Sequence, residues 1–432
     1  MAESGTGANP LAHVLQAIGE DLELIEYEDW RVFLPEGEFL TKVGASQFAE
    51  LLADIRGPEA VRQWAALQQL MRPLARAATM VPPAAFRLDA GVALTAVGRS
   101  VIEGTVTDPF ILNWLDLLCF LLSGLPASGT IAAEVAFMFN EWYRPDCKLE
   151  FPRGGSQAMV GALVRGLEKK GGQLLLDSHV EEVVVEGGRA AGVRLRNGNT
   201  INARRAVVSN ASLWDTKHLL PAGAVPDSWQ RSVAELPPSP SFMHLHLGFN
   251  ASGLEQLDLH HIVVNSWDQG VDSQQNVVLV SIPSVVDASL APPGKHALHA
   301  YLPATEPYEL WEGLPRGSRR YQELKEQRSQ VLWCAVERVV PDIRQRVEVE
   351  MVGTPLTHQR YLRRHRGSYG PAIRAGEGTF PSPATPLSGL YCCGDSTFPG
   401  IGLPAVAASG AIVANTLSPV WDHWKLLDRI GV

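Results

Sequence analysis

Apolar residues recur at helical spacing through the first third of the chain. A helix is predicted over Leu11–Ile18, a hairpin around Pro35–Gly37 and a further helix from Ser46. From Pro58 to Trp142 the pattern is helix after helix, which predicts a helical layer. Its predicted members are Gln63–Met71, Val92–Ile102, Phe110–Leu122 and Ala132–Trp142.

The pattern changes at Phe151, where a helix is followed by short alternating runs separated by Gly-Gly and Asn-Gly turn signals. A strand-rich stretch over 242–302 then predicts an antiparallel sheet, and an amphipathic helix over Arg319–Val340 follows it. The fold class is therefore α/β with an added antiparallel sheet. The elements predicted after Phe151 are a helix over Gln157–Lys169 and strands over Leu174–Leu176, Val180–Glu186, Ala191–Arg196 and Ala206–Asn210.

The stretch from Gly389 to Leu417 predicts a strand over Leu390–Cys393, a Gly-Asp pair, a turn and a helix of small apolar residues. Gly394 lets the backbone leave the strand, and Asp395 places a carboxylate beside it. This arrangement is typical of a cofactor cradle. An ordinary buried strand, turn and helix is the alternative.

The turn of this stretch adds two further features. Gly400 and Gly402 permit a flat ligand to approach the backbone, and the free N–H groups of the next helix begin at Leu403. With the helix dipole, these donors stabilise negative charge such as that of a reduced flavin. Residues 400–405 also match G-x-G-x-x-A, but a dinucleotide fingerprint opens a βαβ unit and the chain has almost ended here.

Composition narrows the possible partners. The chain has 432 residues, is 46% hydrophobic and carries a net charge of -9, which argues against a nucleic-acid partner. The five cysteines form no C-x-x-C pair and are odd in number, so we expect free thiols in a reducing compartment. The N-terminus shows no signal-peptide or transit-peptide pattern.

Two segments raise the question of a membrane. Phe110–Leu125 is the most apolar segment, but Asn113 and Asp116 interrupt it and it is too short to span a bilayer. A core helix, a surface helix or the wall of an apolar tunnel remain as interpretations. The tail over Trp421–Ile430 predicts a short amphipathic helix that packs on the fold or enters a membrane interface.

Two charged or ligating clusters remain. The basic run from Arg360 to Arg366 suits anionic lipid or a pyrophosphate, with a solvated loop as the alternative. Histidines are frequent on the predicted sheet, yet no carboxylate or Cys accompanies them at a ligand spacing, so we expect no metal there. These histidines are His244, His246, His260, His261, His296 and His299.

Several stretches together resemble the carotenoid isomerase and phytoene-desaturase-like family of FAD-dependent oxidoreductases, and most closely its carotenoid-isomerase branch. They run across nearly the whole chain in family order. The most specific of them are NPLAHVLQAIGEDLELI, WLDLLCFLLSGLPA, FPRGGSQAMVGALVRGLEKKGGQLLLDSHVEEVVVEGGRAAGVRLRNG, VGTPLTHQRYLRRHRGSYGP and GLYCCGDSTFPGIGLPAVAASG.

The resemblance implies FAD as cofactor and a glutathione-reductase-like FAD-binding fold, with an antiparallel-sheet and helical substrate domain. It implies that Gly394 and Asp395 meet the pyrophosphate and ribitol, that Gly400, Gly402 and Leu403 lie against the isoalloxazine, and that Val180 meets the adenine. No side chain stands out as acid or base, so the flavin itself is the expected catalyst. The implied domains are 1–57 (remnant of the FAD domain and start of the substrate domain), 58–150 (helical layer), 151–215 (second FAD part), 216–370 (sheet) and 371–432 (C-terminal FAD segment).

The resemblance also implies a reaction, a substrate and a location. We expect isomerisation of poly-cis carotenoids by a reduced flavin, at a plastid membrane surface or the cytoplasmic face of a bacterial membrane. A desaturase or saturase activity is the alternative. Family members begin with a strand, G-x-G-x-x-G and an acidic residue, and the sequence shows none of these, so a truncated product or a non-catalytic remnant that binds an apolar ligand also stays open.

Overall fold

A computed structural model describes residues 9–79, 86–88, 104–143 and 147–431 of the chain. The helix predicted over Val92–Ile102 lies outside these residues. Nearly all other predicted elements fall on described residues, with ends that differ by a few positions. The division into five domains that the family resemblance implies stays a prediction.

The helical layer packs around a cluster of aromatic rings. Phe48 stacks on Trp114 with centroids 5.6 Å apart, and Trp64 lies 4.7 Å from Phe48. The helix that carries Trp114 begins at an N-cap, Asp108, whose carboxylate accepts from two backbone N–H groups. The layer consists of α1 (Pro10–Ile18), α2 (Ala45–Arg56), α3 (Pro58–Thr79), α4 (Pro109–Ser123) and α5 (Ala132–Trp142).

The apolar helix α4 lies inside the layer. Most of its apolar side chains are buried, including those of Trp114 and Leu118, which accounts for its apolar character on all sides. Among the described helices, none combines the length and the hydropathy needed to cross a membrane.

The largest sheet of the described residues has seven strands. Their order across the sheet is β13-β9-β12-β11-β10-β2-β3. The sequence predicted only its antiparallel middle. The structure adds the early hairpin, because β2 pairs in parallel with β10, and it adds β13 at the other edge. The strands are β2 (Asp29–Leu34), β3 (Gly37–Lys42), β9 (Ser241–Asn250), β10 (His260–Val264), β11 (Val277–Ser281), β12 (Lys295–Glu306) and β13 (Val347–Gly353).

One face of this sheet is sealed by α9 (Arg319–Val339). Leu245, Val280 and Ala300 point into this core and meet Leu332 and Val336 of the helix. A buried ion pair fixes the helix to the sheet. Arg328 donates from two nitrogens to Glu306, and the indole Nε1 of Trp311 donates to the same carboxylate at 2.9 Å.

The remaining elements form smaller sheets and helices. A strand pair joins β1 (Leu24–Tyr27) to β4 (Leu149–Pro152), and a three-stranded sheet has the order β5-β6-β7. Two parallel strands, β8 and β14, stand apart. The bounds are α6 (Ser156–Lys169), β5 (Val180–Glu186), β6 (Arg189–Leu195), β7 (Thr200–Asn202), β8 (Val207–Ser209), α7 (Leu213–His218), α8 (Asp227–Glu235), α10 (Ile343–Arg346), α11 (Pro355–Leu362), β14 (Leu390–Cys392), α12 (Leu403–Leu417) and α13 (Val420–Ile430).

One predicted strand is wrong. Leu174–Leu176 runs as irregular backbone into a turn, and its three leucine side chains are exposed. A strand needs a neighbouring strand to satisfy its N–H and C=O groups, and no described strand pairs with this segment. The apolar run alone therefore misled the prediction.

Candidate functional site

The carboxyl ends of β8 and β14 open the site. The two strands pair in parallel, with Cys392 opposite Ser209, and the chain leaves them at Asn210 and Gly394. Ligands of α/β folds bind beyond the carboxyl ends of such strands. The Gly-Asp pair singled out in the sequence therefore lies where a ligand is expected.

The turn at Gly394 is held by buried hydroxyl groups. The Gly394 N–H donates to Ser409 Oγ of α12 at 3.0 Å, and Thr397 Oγ1 donates to the Gly394 carbonyl at 3.1 Å. Thr397 and Ser409 also contact each other at 2.9 Å. Because all three groups are buried, the end of the strand is fixed onto the following helix.

The Asp395 carboxylate forms an ion pair with Arg364. Both side chains are largely buried, and Arg364 Nη1 also donates to the Asn210 carbonyl at 3.3 Å. Burial lowers the pKa of the Arg364 guanidinium, and the nearby Asp215 and Tyr369 partly offset this. Arg364 and Ser396 both use Oδ1 of Asp395, which leaves Oδ2 for a further donor such as a sugar hydroxyl.

The start of α12 provides the second part of the site. Gly402 precedes the helix with φ +98°, and a Cβ built there meets nothing nearer than the Leu122 carbonyl oxygen at 3.9 Å. Helix geometry leaves the N–H groups of Leu403 and Ala405 without intrahelical acceptors. Among the described residues the space beside Gly402 is thus open, and the helix end favours an anionic or electron-rich group there.

The other two predicted residues have different surroundings. A Cβ at Gly400 would lie 2.8 Å from the Phe380 ring, so Gly400 allows close packing within the protein. Val180 begins β5 and pairs with Leu195 in the three-stranded sheet. The structure therefore brings Gly394, Asp395, Gly402 and Leu403 to the ends of β14 and α12, and it places Val180 in a separate sheet.

A short loop over residues 367–371 lies between the Asp395 turn and the large sheet and contacts both. The loop passes Asp395 so closely that a Cβ at Gly370 would lie 2.4 Å from the Asp395 carbonyl oxygen. Tyr369 N–H donates to Ser239 Oγ at 3.0 Å, and the Tyr369 ring lies 4.3 Å from that of Phe242 on β9.

From Phe242 onward, one face of the large sheet carries a row of cross-strand partners. Side chains directly opposite one another across paired strands share a face. The row runs from stacked imidazole and phenol rings to apolar side chains that lie beneath the helical layer. Its members, one from each strand, are Gly353, His244, Tyr301, Leu279, Ile262, Val32 and Phe39.

The rings at the start of this row lie nearly parallel. His244 stacks on Tyr301 at an interplanar angle of 27° and on His358 of α11 at 9°. Burial lowers the pKa of His244 to about 2 and that of His358 to about 4. The imidazoles are therefore neutral at pH 7, and this end of the row presents uncharged aromatic faces.

A residue that sequence reasoning missed lies in the helical layer. Glu134 is half-buried on α5 among apolar side chains, and burial raises its pKa to about 7. The signal was present in the sequence as one acid inside the apolar run IAAEVAFMF. Glu134 is therefore a carboxyl group that loses its proton near neutral pH, well above the ordinary range of a glutamate.

The chain resembles known proteins in sequence and in fold. Residues 21–418 match the family described as flavin containing amine oxidoreductase. A chloroplastic prolycopene isomerase of Daucus carota is 34% identical over 319 residues, which cover 72% of this chain and 51% of that protein. A neurosporene-forming phytoene desaturase of Rhodobacter capsulatus is 28% identical over 283 residues, which cover 61% and 52% of the two chains. The chain thus spans about half the length of these curated relatives.

A solved structure supports the fold. An oxidoreductase from Methanosarcina mazei superposes with a TM-score of 0.61 at 18% identity, covering 94% of this chain and 85% of the other. The family match and this likeness confirm the α/β fold of flavin-dependent oxidoreductases that the sequence predicted.

The burial of Glu134 predicts a pH-dependent stability difference. The folded pKa of about 7 lies above the ordinary value of 4.5, so the stability present below pH 4.5 is lost as pH rises toward 7. We expect Glu134→Gln to stabilise the protein at pH 8 by between about 1 and 3 kcal/mol and to have little effect at pH 4.5. Denaturant unfolding at the two pH values measures this difference.

The matched control is Glu141→Gln on the same helix, where the side chain accepts a hydrogen bond from Asn140 at 3.1 Å. This variant should change the unfolding free energy equally at both pH values. An equal effect of Glu134→Gln at pH 4.5 and pH 8 would contradict the assignment of a buried, protonated carboxyl.

Proposed function

The chain belongs to the family of flavin-containing amine oxidoreductases, and we propose that it takes part in the cis–trans isomerisation of a poly-cis carotenoid of the prolycopene type. FAD is the cofactor of this family of enzymes. The similarity to chloroplastic prolycopene isomerases supports the substrate class. The single observation that carries the proposal is the row of aromatic and apolar side chains that leads away from the Asp395 turn.

The residues at the ends of β14 and α12 suit one side of a flavin nucleotide. Gly394 and Asp395 would hold the pyrophosphate and ribitol, with Asp395 Oδ2 accepting from a hydroxyl. The open space beside Gly402 accepts a flat ring, and the N–H group of Leu403 would stabilise negative charge on it. We keep Gly400, which packs on Phe380, as a further residue against the isoalloxazine and Val180 as the contact to the adenine.

A reduced flavin held there would supply electron density to the conjugated system, which would lower the barrier to rotation about a cis bond with no net change in the oxidation state of the substrate. The residues of the chain have positioning roles. The Arg364–Asp395 pair fixes the loop that carries Tyr369, and the Tyr369 ring contacts Phe242, which precedes His244 on the same face of β9. The distance between cofactor and substrate is thereby set by rigid elements.

The row provides the surface for a long, flat, apolar substrate. Its half-buried members His244, Tyr301 and Leu279 lie on three adjacent strands, which span about 10 Å at the usual strand spacing. Beyond them the row passes beneath the helical layer at Ile262 and Val32. A conjugated chain stacks favourably on neutral aromatic faces, so we place one end of the polyene against these rings and the other toward the helices.

A desaturase reaction is the second candidate, favoured by the similarity to phytoene desaturases. The two reactions differ in electron balance. Isomerisation leaves the number of double bonds unchanged. Desaturation removes two hydrogens for each new double bond and needs an electron acceptor that reoxidises the flavin. A non-catalytic member would bind the polyene and change neither the geometry nor the number of its double bonds.

We further propose that the protein works at a plastid membrane surface. The relatives that support this location are described as chloroplastic. Helix α13 exposes Trp421 and Trp424 side by side, with ring centroids 5.0 Å apart. Tryptophan rings favour the interface between lipid and water, so α13 would bring the helical layer close to the source of a lipid-soluble substrate.

The first prediction concerns the cofactor. Leu403 is the first residue of α12 and is 50% exposed, so Leu403→Glu should fold while its carboxylate repels the pyrophosphate and the electron-rich flavin. We expect FAD affinity to fall by at least about tenfold, or 1.4 kcal/mol. Quenching of flavin fluorescence on titration with the purified chain measures the dissociation constant.

The matched control is Val420→Glu, because Val420 is the exposed first residue of α13. This variant should bind FAD as the wild type does. Equal affinities of the wild type and Leu403→Glu would refute the assignment of the cradle, and so would a wild type that binds no FAD.

The second prediction concerns the reaction. With reduced FAD, the protein should convert poly-cis lycopene to more trans isomers without lengthening the conjugated system, as chromatography with absorption spectra records. Tyr301→Gln should lower kcat/KM by about tenfold through lost ring contact, and Tyr301→Phe should keep it. A product with additional double bonds would favour the desaturase, and an unchanged substrate would favour the binding protein.

The third prediction concerns the membrane. Replacement of both Trp421 and Trp424 by Ser should lower binding to vesicles of phosphatidylcholine and phosphatidylglycerol by at least about tenfold, because two large apolar side chains no longer enter the interface. Sedimentation with the vesicles measures the bound fraction. The control Leu176→Ser removes an exposed apolar side chain elsewhere, and a similar loss of binding in this variant would contradict the role of α13.

A further inference from the structure

The face of the large sheet that carries the row also brings histidines together. Strand alternation divides the six histidines of the sequence pattern. His261 and His296 lie on the face covered by α9, and the other four lie on the opposite face. Of these four, His244, His246 and His299 form a cluster in which one ring nitrogen of each lies within 4.8 Å of the others.

The three rings are arranged to share a ligand. His244 Nδ1 and His299 Nε2 are 2.6 Å apart, and the rings of His246 and His299 lie parallel with centroids 4.4 Å apart. A tetrahedral Zn²⁺ ion with ordinary Zn–N distances would hold such nitrogens about 3.3 Å apart. Because an imidazole coordinates in the plane of its ring, the parallel rings of His246 and His299 would have to turn about their side-chain torsions to direct both lone pairs at the ion.

A fourth histidine supports the orientation of the first. His358 of α11 presents Nε2 to Nε2 of His244, which is the nitrogen that faces away from His299. Metal-bound histidines usually donate their second N–H to such an outer partner, and this fixes the tautomer of the ligand. His358 is only 8% exposed, and its Nδ1 has no hydrogen-bond partner among the described residues.

We propose that His244, His246 and His299 form a binding site for a divalent transition-metal ion, best suited to Zn²⁺, with His358 as the positioning residue for His244. Imidazole nitrogen is a preferred ligand of Zn²⁺. Three protein ligands leave one coordination position for water, and this position faces solvent because His246 is exposed. The site revises the expectation from sequence spacing that these histidines hold no metal, and it is independent of the proposed flavin chemistry.

The test measures Zn²⁺ binding by isothermal titration calorimetry on untagged full chain in a Cys334→Ser background, which removes the exposed thiol as a competing ligand. We expect one ion per chain. Replacing exposed His246 by Ala should weaken binding by at least about tenfold without altering the circular dichroism spectrum, and His358→Gln should weaken it by about tenfold as the loss of an outer partner does.

The matched control is His296→Gln, on the same strand as His299 but on the opposite face of the sheet. It should bind Zn²⁺ as the parent protein does. Co²⁺ provides a second readout, because a tetrahedral site with nitrogen ligands gives an intense visible absorption that His246→Ala should abolish. Unchanged Zn²⁺ affinity in His246→Ala, equal losses in His296→Gln, or no binding by the parent protein would each overturn the proposal.

Discussion

The row of side chains on the large sheet and the histidine cluster beside it both depend on the two-residue alternation of side chains along each strand. On β9, Met243, Leu245 and Leu247 enter the core under α9, and the intervening residues face the opposite side. Because α9 is fixed by the buried Arg328–Glu306 pair, the register of the sheet cannot shift by one residue without burying imidazoles against leucines. One sealed face thus determines what the other face displays.

The local pattern was sufficient for most elements. β5 has the predicted bounds, α4 is one residue longer at each end, α6 begins one residue earlier, and the strand before Gly394 ends one residue early. These elements are determined by neighbours in sequence, through caps, turns and apolar periodicity. The strand, turn and helix that contain Gly394 and Gly402 could be predicted for the same reason, since they follow one another directly.

Contacts between distant segments were not predictable from such patterns. The parallel pairing of β2 with β10 joins residues more than two hundred positions apart, and the Arg364–Asp395 pair joins a basic run to the Gly-Asp turn. The sequence presents Arg364 as one of several surface charges. Its burial follows from the loop at Gly370, whose close approach to Asp395 leaves no room for a side chain.

Burial also explains how one group of histidines can serve two purposes. Removal from water lowers the pKa of His244 to about 2 and that of His299 to about 3, so both rings are neutral. A neutral imidazole presents an aromatic face to an apolar ligand and a lone pair in the plane of the ring to a metal ion. The two directions are perpendicular, because stacking uses the faces and coordination uses the edges. A metal ion held at the edges would therefore fix the rings and leave the face of His244 beside Tyr301 available, so that metal binding would stiffen the same surface on which we propose that a polyene lies.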